Sequence, residues 1–582
     1  MTLSSALARS RRLFSRFVLR PLSAATPVQG DGQTSINNRD RFILVSVGVI
    51  AMLAIVQGRL IYLASQSDDG PAMRRTGNTA LVAARPRILD RNGQTMAMDI
   101  QVPSLFAEPK LIENPDETYE ALTTVLPDLD FDVTMKRLKS GAGFVWVKRE
   151  ITPRQQADIL ALGLPGIGFR RESKRYYPSG ETASHILGHT NIDNEGIAGL
   201  EKYLDDTGLK DLHKAGFALR TAPEPVKLSV DLRVQHFIRD ALSTAMEKYR
   251  AVAAAGVVLN VHTGEIVGMA SLPDYDPNDP VDALKPDRLN RMSAGLFEMG
   301  STFKMFTTAM ALDSNRVGLN SRFDARKPLR IGRFTIKDFH GKKRILSVPE
   351  VFIYSSNIGT AKMADVVGID GHQKFLTNLG LLSKMQGLEL PEVATPTQPK
   401  KWKKVNSITI SYGHGVSTTP LQTAVAAAAL VNGGKLIQPT LFERSEAEAA
   451  QWAKQVVQPK TTDAMRYLMR LNVLKGSGKR AEVPGFLVGG KTGTAEKVVN
   501  GRYARDKRFN AFLSAFPVSD PQYVVLVIVD EPKPEKGQRY ATAGMNAAPT
   551  VASIVRRSAP VLGVQPDFRV RDTAILSSYR GP

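Results

Sequence analysis

The apolar and polar positions divide the chain unevenly. Phe42 to Val56 is an uncharged, almost wholly apolar run, and with Gln57, Gly58 and Arg59 tolerated it continues through Leu60 to Ala64. That is long enough to span a bilayer as a helix, with Arg59 able to snorkel and Tyr62 placed at an interface. Ahead of it, Arg9, Arg11, Arg12, Arg16, Arg20, Arg39 and Arg41 are interspersed with Pro, Ser, Gly and Asn, the composition of a flexible basic tail. Such arginines stay in the cytoplasm, which puts the bulk of the chain on the other side. The long tail, without a clear small-residue cleavage site, argues for a retained anchor over a cleaved signal peptide.

After a polar linker at 65–78, a β-rich run from Leu81 leads into an Asn92-Gly93 turn and a second strand from Gln94. Helices are expected near Thr118 to Leu126 and Pro153 to Leu162. Arg175 to Gly180, Ala183 to Gly188 and Gly196 to Glu201 form no catalytic set, so this part reads as a scaffold. A Pro-rich join at Ala222 to Pro225 marks a boundary. Beyond it, Asp231 precedes and caps an amphipathic helix from Leu232 to about Lys248. Ala253 to Asn260, a His262 to Glu265 turn and Ile266 to Ala270 read as a hairpin. With later strands at Gly485 to Thr494, Phe509 to Phe516 and Tyr523 to Val529, the layout is α+β, an antiparallel sheet with helices packed on its faces. Tyr412 to Val416 reads as a turn that opens a helix at Pro420. The predicted segments are a basic tail (1–41), a transmembrane helix (42–64), an elongated scaffold (65–225), a second domain (226–566) and a loose end (567–582).

Composition narrows the possibilities. A chain of 582 residues exceeds one ordinary domain. The net charge of +21 is spread along the sequence without a nucleic-acid motif, and a basic surface facing anionic lipid or polymer fits it better. Lys400, Lys401, Lys403 and Lys404 around Trp402 read as a solvated patch. The absence of cysteine excludes disulfides, thiol catalysis and cysteine-ligated metals. His185 and His189 stand four apart with no third ligand, so they read as structural, and no metal or cofactor is expected.

The chemistry concentrates in three short stretches. Gly300-Ser301-Thr302-Phe303-Lys304 opens an apolar run through Met305, Phe306, Ala309, Met310 and Leu312. Gly300 permits a tight turn into a helix that is apolar all round and therefore buried, which puts Ser301 at its positive N-terminal end. Residues three apart share a helix face, so Lys304 can stand beside Ser301 and, as a desolvated neutral amine, serve as its base. Ser355-Ser356-Asn357 lies between helical-looking Val351 to Tyr354 and Ile358 to Val366. Leu487 to Thr494, containing Lys491-Thr492-Gly493-Thr494, reads as a strand whose glycines permit close backbone approach. These three elements occur in the order found in serine penicillin-binding proteins and β-lactamases.

With those motifs placed, the chain resembles the class B penicillin-binding proteins, most closely the division-specific FtsI-type peptidoglycan transpeptidases. Arg85 to Gly93 and Arg175 to Gly180 resemble parts of the pedestal found in that family, and the likeness covers nearly everything after residue 40. Ser355-Ser356-Asn357 favours the division type, as do Lys491 to Ala495 with Gly501 and Tyr503. Phe297-Glu298-Met299-Gly300 departs from the more usual Glu-Pro-Gly before the serine. The resemblance implies a β-lactamase-like transpeptidase domain outside the inner membrane, at the septum. In it Ser301 attacks the penultimate D-alanine carbonyl of a stem pentapeptide, and an acceptor stem amine resolves the ester. Lys304 is then the base, Ser355 a proton relay and Asn357 a holder of Lys304 and the substrate amide. Lys491, Thr492 and Thr494 suit the terminal carboxylate alongside Gly493, and the N–H groups of Ser301 and Thr494 form the oxyanion hole. β-Lactams, a SEDS-family glycosyltransferase of the FtsW type and other divisome membrane proteins are the implied partners. Elongation-type relatives, a D-alanine carboxypeptidase and a non-enzymatic divisome scaffold remain as alternatives. A class A β-lactamase would be shorter and untethered, and 66–225 is too short for a glycan polymerase.

Overall fold

The computed structural model describes residues 38–65, 85–209, 223–332, 334–499 and 502–569. The basic tail before residue 38, the 66–84 linker, the start of the Leu81 run and the last residues from 570 lie outside them. The chain forms two compact units, Met1–Ala80 and Leu81–Pro582. In the first, Asn38–Ser65 is a single helix of 28 residues. Ile43, Val47, Ile50, Met52, Leu53 and Ile55 on it are exposed. Among the described residues no helix is long and apolar enough to cross a membrane. The side chains at 38–42, 44, 45, 58 and 60–65 are not among those described.

The second unit begins with the hairpin expected around Asn92-Gly93. Strand Ile88–Leu89 pairs antiparallel with Thr95–Ala107, and Gly93 adopts φ +81 in the turn. The long strand then pairs with Val145–Lys148 and Ile167–Tyr176. Helices Pro115–Val125 and Pro153–Ala161 fall where the pattern placed them, capped by Asn114 and Thr152. Leu105, Leu122, Leu126, Leu138, Val147 and Ile159 give this outer part a core of its own. Its inner part is tied to the chain beyond residue 225. Ile88–Leu89 pairs in parallel with Val226–Lys227 just past the Pro-rich join, and Ile88, Met96, Tyr177, Ile186 and Leu200 share one core with Phe303, Met305 and Phe306. His185 and His189 are buried there, with Nε2 of His185 2.6 Å from the Arg288 carbonyl and Nδ1 of His189 3.4 Å from the Tyr275 hydroxyl. These contacts are structural in kind.

Helix α1 is Leu232–Tyr249, capped by the Asp231 carboxylate. Strands β1 (Ala253–Asn260) and β2 (Ile266–Leu272) form the expected hairpin. Helices α2 (Lys304–Asp313), α3 (Asn357–Val367) and α4 (Pro459–Lys475) precede β3 (Gly489–Val499), β4 (Arg502–Phe516), β5 (Tyr523–Asp530) and the final α5 (Ala547–Val561). The sheet is fully antiparallel with order β3-β4-β5-β1-β2. One face buries Val258, Phe512, Val525 and Val527 beneath α1 and α5. The other buries Leu259, Leu513 and Leu526 against the helical lobe containing α2. Burial on both faces explains why β1 and β5 read as continuous apolar runs. Strand β3 is an edge strand, so one row of its backbone N–H and C=O groups is left without a strand partner.

Two details differ from the sequence pattern. The strand containing Lys491 starts at Gly489, because Val483 to Phe486 closes a turn through the Phe486 N–H on the Val483 carbonyl. The loose end begins anchored: the Asp567 N–H donates to the Gly485 carbonyl at 2.8 Å.

Candidate active site

Gly300–Phe303 is a single 3-10 turn leading into α2, so Ser301 sits just before the α-helix proper. Gly300 adopts φ +53, a conformation that costs other residues strain. The turn is gripped from two sides. A Cβ on Gly493 of β3 would meet the Met299 carbonyl oxygen at 2.6 Å and Thr302 Cγ2 at 2.8 Å. A Cβ on Gly413 would meet the Gly300 carbonyl oxygen at 2.0 Å. Gly493 therefore lets the open edge of β3 run directly alongside the serine turn.

The second motif forms the opposing wall. Helix Val348–Ile353 ends at Tyr354, and α3 starts after the Ser356 N-cap. Between them Ser355 adopts φ +55, rare for a non-glycine residue and concentrated at functional sites. That conformation turns both its oxygens to the Lys304 amine, which lies 2.6 Å from the Ser355 carbonyl and 3.0 Å from Ser355 Oγ. A third contact, 2.7 Å, joins the amine to Asn357 Oδ1. From β3, Lys491 Nζ reaches the same Ser355 Oγ at 3.0 Å and the Thr492 carbonyl at 3.2 Å. One hydroxyl is thus shared by two buried amines.

Electrostatics decide what those amines can do. Burial, reinforced by the neighbouring Lys491 charge, pushes Lys304 well below the ordinary lysine range, with Asp338 opposing more weakly. Burial alone pushes Lys491 down to about 7. A neutral Lys304 has two N–H donors and a lone pair. The Ser355 carbonyl and Asn357 Oδ1 take the donors, and the lone pair is left for a hydroxyl proton.

The remaining predicted residues lie along β3. The Thr492 hydroxyl is 2.6 Å from Ser477 Oγ, and Thr494 Oγ1 accepts from the Ala543 N–H at 3.2 Å. Lys304, Ser355, Asn357 and Lys491 are therefore joined by direct contacts, and Gly493 brings β3, with Thr492 and Thr494 on it, alongside the turn that carries Ser301; the cleft is this meeting of three elements. The basic patch around Trp402 does not join them: Trp402 is buried against His372 while Lys401, Lys403 and Lys404 are exposed.

A family model described as the penicillin binding protein transpeptidase domain matches residues 254–556, and one described as the penicillin-binding protein dimerisation domain matches 80–211. A relative from Caulobacter vibrioides, named probable peptidoglycan D,D-transpeptidase FtsI, is 40% identical over 512 residues, covering 86% of this chain and 84% of the relative. The chain belongs to the penicillin-binding protein transpeptidases. The Escherichia coli K12 peptidoglycan D,D-transpeptidase FtsI is 29% identical over 563 residues, covering 90% of this chain and 92% of that protein. The transpeptidase domain of Burkholderia pseudomallei penicillin-binding protein 3 superimposes with a TM-score of 0.52 at 31% identity, covering 58% of this chain and 97% of that one.

Sequence reasoning missed several residues that shape this penicillin-binding protein cleft. Asp338 accepts from Ser356 Oγ at 2.8 Å and from the Ile358 N–H at 3.0 Å, so a carboxylate from the segment after strand Phe334–Ile336 holds the start of α3. Asn472 of α4 donates to the Gly490 carbonyl at 2.8 Å and fixes β3 from behind. Neither sits in a recognisable local pattern. Tyr412-Gly413-His414-Gly415 does carry a signal, two glycines flanking a histidine in a segment that packs on the serine turn.

Proposed function

We propose that this chain is a division-type peptidoglycan D,D-transpeptidase, cross-linking stem peptides at the septum through an acyl-enzyme on Ser301. The observation that carries the reading is the Ser355 hydroxyl shared by the Lys304 and Lys491 amines beside the serine turn. Neutral Lys304 takes the Ser301 proton as Oγ attacks the penultimate D-alanine carbonyl of a stem pentapeptide. That proton passes through Ser355 to the leaving D-alanine amine, and an amine from an acceptor stem then resolves the ester. Asn357 keeps the base oriented, since it accepts from Lys304 while donating to the Lys337 carbonyl at 3.0 Å. Lys491, with Thr492 and Thr494, meets the terminal carboxylate. An arriving anion favours the protonated amine that burial alone would discourage. The open edge of β3, next to Gly493, receives the extended peptide as an added strand. The N–H groups of Ser301 and Thr494 hold the oxyanion, a contribution of about 3 to 4 kcal/mol per donor.

The helix Asn38–Ser65 serves as the anchor in the inner membrane. Its 28 residues extend about 42 Å, its described apolar side chains are exposed, and arginines precede it. The tail before it is cytoplasmic and the remainder periplasmic. Residues 65–225 act as the pedestal and 226–566 as the transpeptidase domain. A SEDS-family glycosyltransferase of the FtsW type and other divisome membrane proteins are its partners.

The test is labelling of the full chain by fluorescent penicillin. A one-to-one adduct on the peptide bearing Gly300 to Lys304, absent in Ser301→Ala, is expected, as is midcell fluorescence in dividing cells. A stable adduct on a folded Ser301→Ala protein refutes the assignment, and side-wall labelling moves the chain to elongation.

A further inference from the structure

A second polar cluster flanks the serine turn, built from elements that contribute nothing to the Lys304 contacts. Glu298, three residues before Ser301, accepts from the Gly415 N–H at 2.8 Å and lies 3.0 Å from His414 Nδ1. The Tyr503 hydroxyl, from β4, donates to its two oxygens at 3.3 and 3.2 Å. The His414 ring meets Tyr412 and Tyr503 edge-on, each at 5.6 Å between centroids. Among the described residues no lysine or arginine pairs with Glu298; its ion-pair partner is the imidazole. Both side chains keep solvent access, 28% for His414 and 17% for Glu298. The Gly413 contact with Gly300 fixes this loop on the serine turn.

We infer that His414, oriented by Glu298, takes the proton from the cationic acceptor amine before that amine attacks the acyl-enzyme, so that the pair forms the acceptor-amine subsite. The inference rests on the acyl-transfer reading above and deepens it. An alkyl ammonium has a pKa near 10, so at neutral pH only about one molecule in a thousand is a nucleophile. Converting it into an amide releases two protons, whereas the Lys304 relay has a place for only one. The first goes from the ammonium to His414 Nε2 and on to solvent. The free amine then forms the C–N bond as the carbonyl–Oγ bond of Ser301 breaks. The second proton leaves the new amide nitrogen through Lys304 and ends on Ser301 Oγ.

The cluster is arranged for that first step. A carboxylate on Nδ1 selects the tautomer with the proton there and leaves the Nε2 lone pair as the acceptor. Glu298 also presents negative charge to an arriving ammonium. The other titratable groups facing the imidazole do not compete for the proton. Burial, then Glu298, holds the Tyr503 phenol above its usual range, and burial lifts Tyr412 to about 12. Glu496 on β3 adds further negative charge near Tyr503.

The test uses the full chain with a thioester analogue of the stem terminus as donor and D-alanine as acceptor, reading the ratio of aminolysis to hydrolysis. His414→Phe is expected to lower that ratio about 100-fold at pH 7, and Glu298→Gln about tenfold. Hydroxylamine, already unprotonated at this pH, should restore aminolysis in His414→Phe to within a few-fold of wild type. An unchanged ratio overturns the inference, as does an equal deficit with hydroxylamine or a parallel loss of penicillin acylation. A wild-type chain that forms no acyl-enzyme from the thioester refutes the transpeptidase reading instead.

Discussion

Two clusters of buried charge in this protein follow opposite rules. In the part that matches the dimerisation domain, Arg85 and Arg175 are withdrawn from water together with Glu201, Asp205 and Asp99. The Glu201 carboxylate takes Arg85 Nε at 2.8 Å and Arg175 Nε at 2.6 Å, while Asp205 and Asp99 take one Nη1 each. Burial works against the Arg175 charge, but Glu201 and Asp99 outweigh it and raise its pKa above the ordinary arginine value. In the cleft, Lys304 and Lys491 are buried as deeply, yet their close partners are hydroxyls, carbonyls and an amide. Their pKa values fall. Pairing preserves a charge for architecture, and withholding the partner turns a cation into a base. Residue choice matches the two tasks, since a guanidinium does not deprotonate and an ammonium does.

The sharpest break in this comparison exchanges the residue types. Lys304→Arg keeps a cation but supplies no lone pair, and penicillin acylation is expected to slow by about 10⁴-fold. A time course of the mass shift measures it, and a loss under tenfold would show that charge rather than basicity matters there. Arg175→Met is the converse, leaving Glu201 and Asp99 short of a partner. It should cost about 3 to 5 kcal/mol of stability in denaturant titration, while the folded fraction still acylates at the wild-type rate.

Proton linkage gives a subtler contrast. Between pH 7 and 10.5 the unfolded chain holds a proton on Lys491 that the folded chain has released, so stability rises with pH across that window and the slope vanishes below it. The slope is at most about 1.4 kcal/mol per pH unit. Subtracting the melting profile of Lys491→Gln from that of wild type reports it together with the coupled change at Lys304, and parallel profiles would place a charged partner beside Lys491. Asp231→Ala should have the smallest effect, about 1 kcal/mol, because this carboxylate caps α1 through the Arg233 N–H at 2.9 Å and lies outside the cleft. Slowed acylation in that variant would tie α1 to the chemistry.

The legible parts of the site were those whose chemistry is local. Ser301 and Lys304 stand three apart, Ser355 and Asn357 two apart, and Lys491 to Thr494 is continuous, so each is a short local pattern, and it is their order along the chain that groups them. The main sheet was legible because β1 and β5 are unbroken apolar runs, and the separate hairpin before it because Asn92-Gly93 is a turn in its own right. What spacing does not encode is partnership across the fold. Arg85 meets Glu201 from 116 residues away and His414 meets Glu298 from 116 away, pairings that exist only once topology brings the segments together. The 3-10 form of the serine turn was hidden for the same reason. Gly300 announces a tight turn, but its pitch is set by β3 and the Gly413 loop pressing on it from outside.

That grip has a consequence for how this lineage can change under antibiotic pressure. With Gly493 and Gly413 each lying where one added carbon would strike the backbone of the serine turn, the ground closest to the drug is nearly closed to substitution. Selection is pushed outward, to positions that can vary without collapsing the turn. Exposed side chains such as Phe339 and Tyr540, whose ring centroids lie 6.5 Å apart, are not held against the backbone in that way. Resistance in this molecule should therefore be written away from the serine turn, with Gly413 and Gly493 left unaltered.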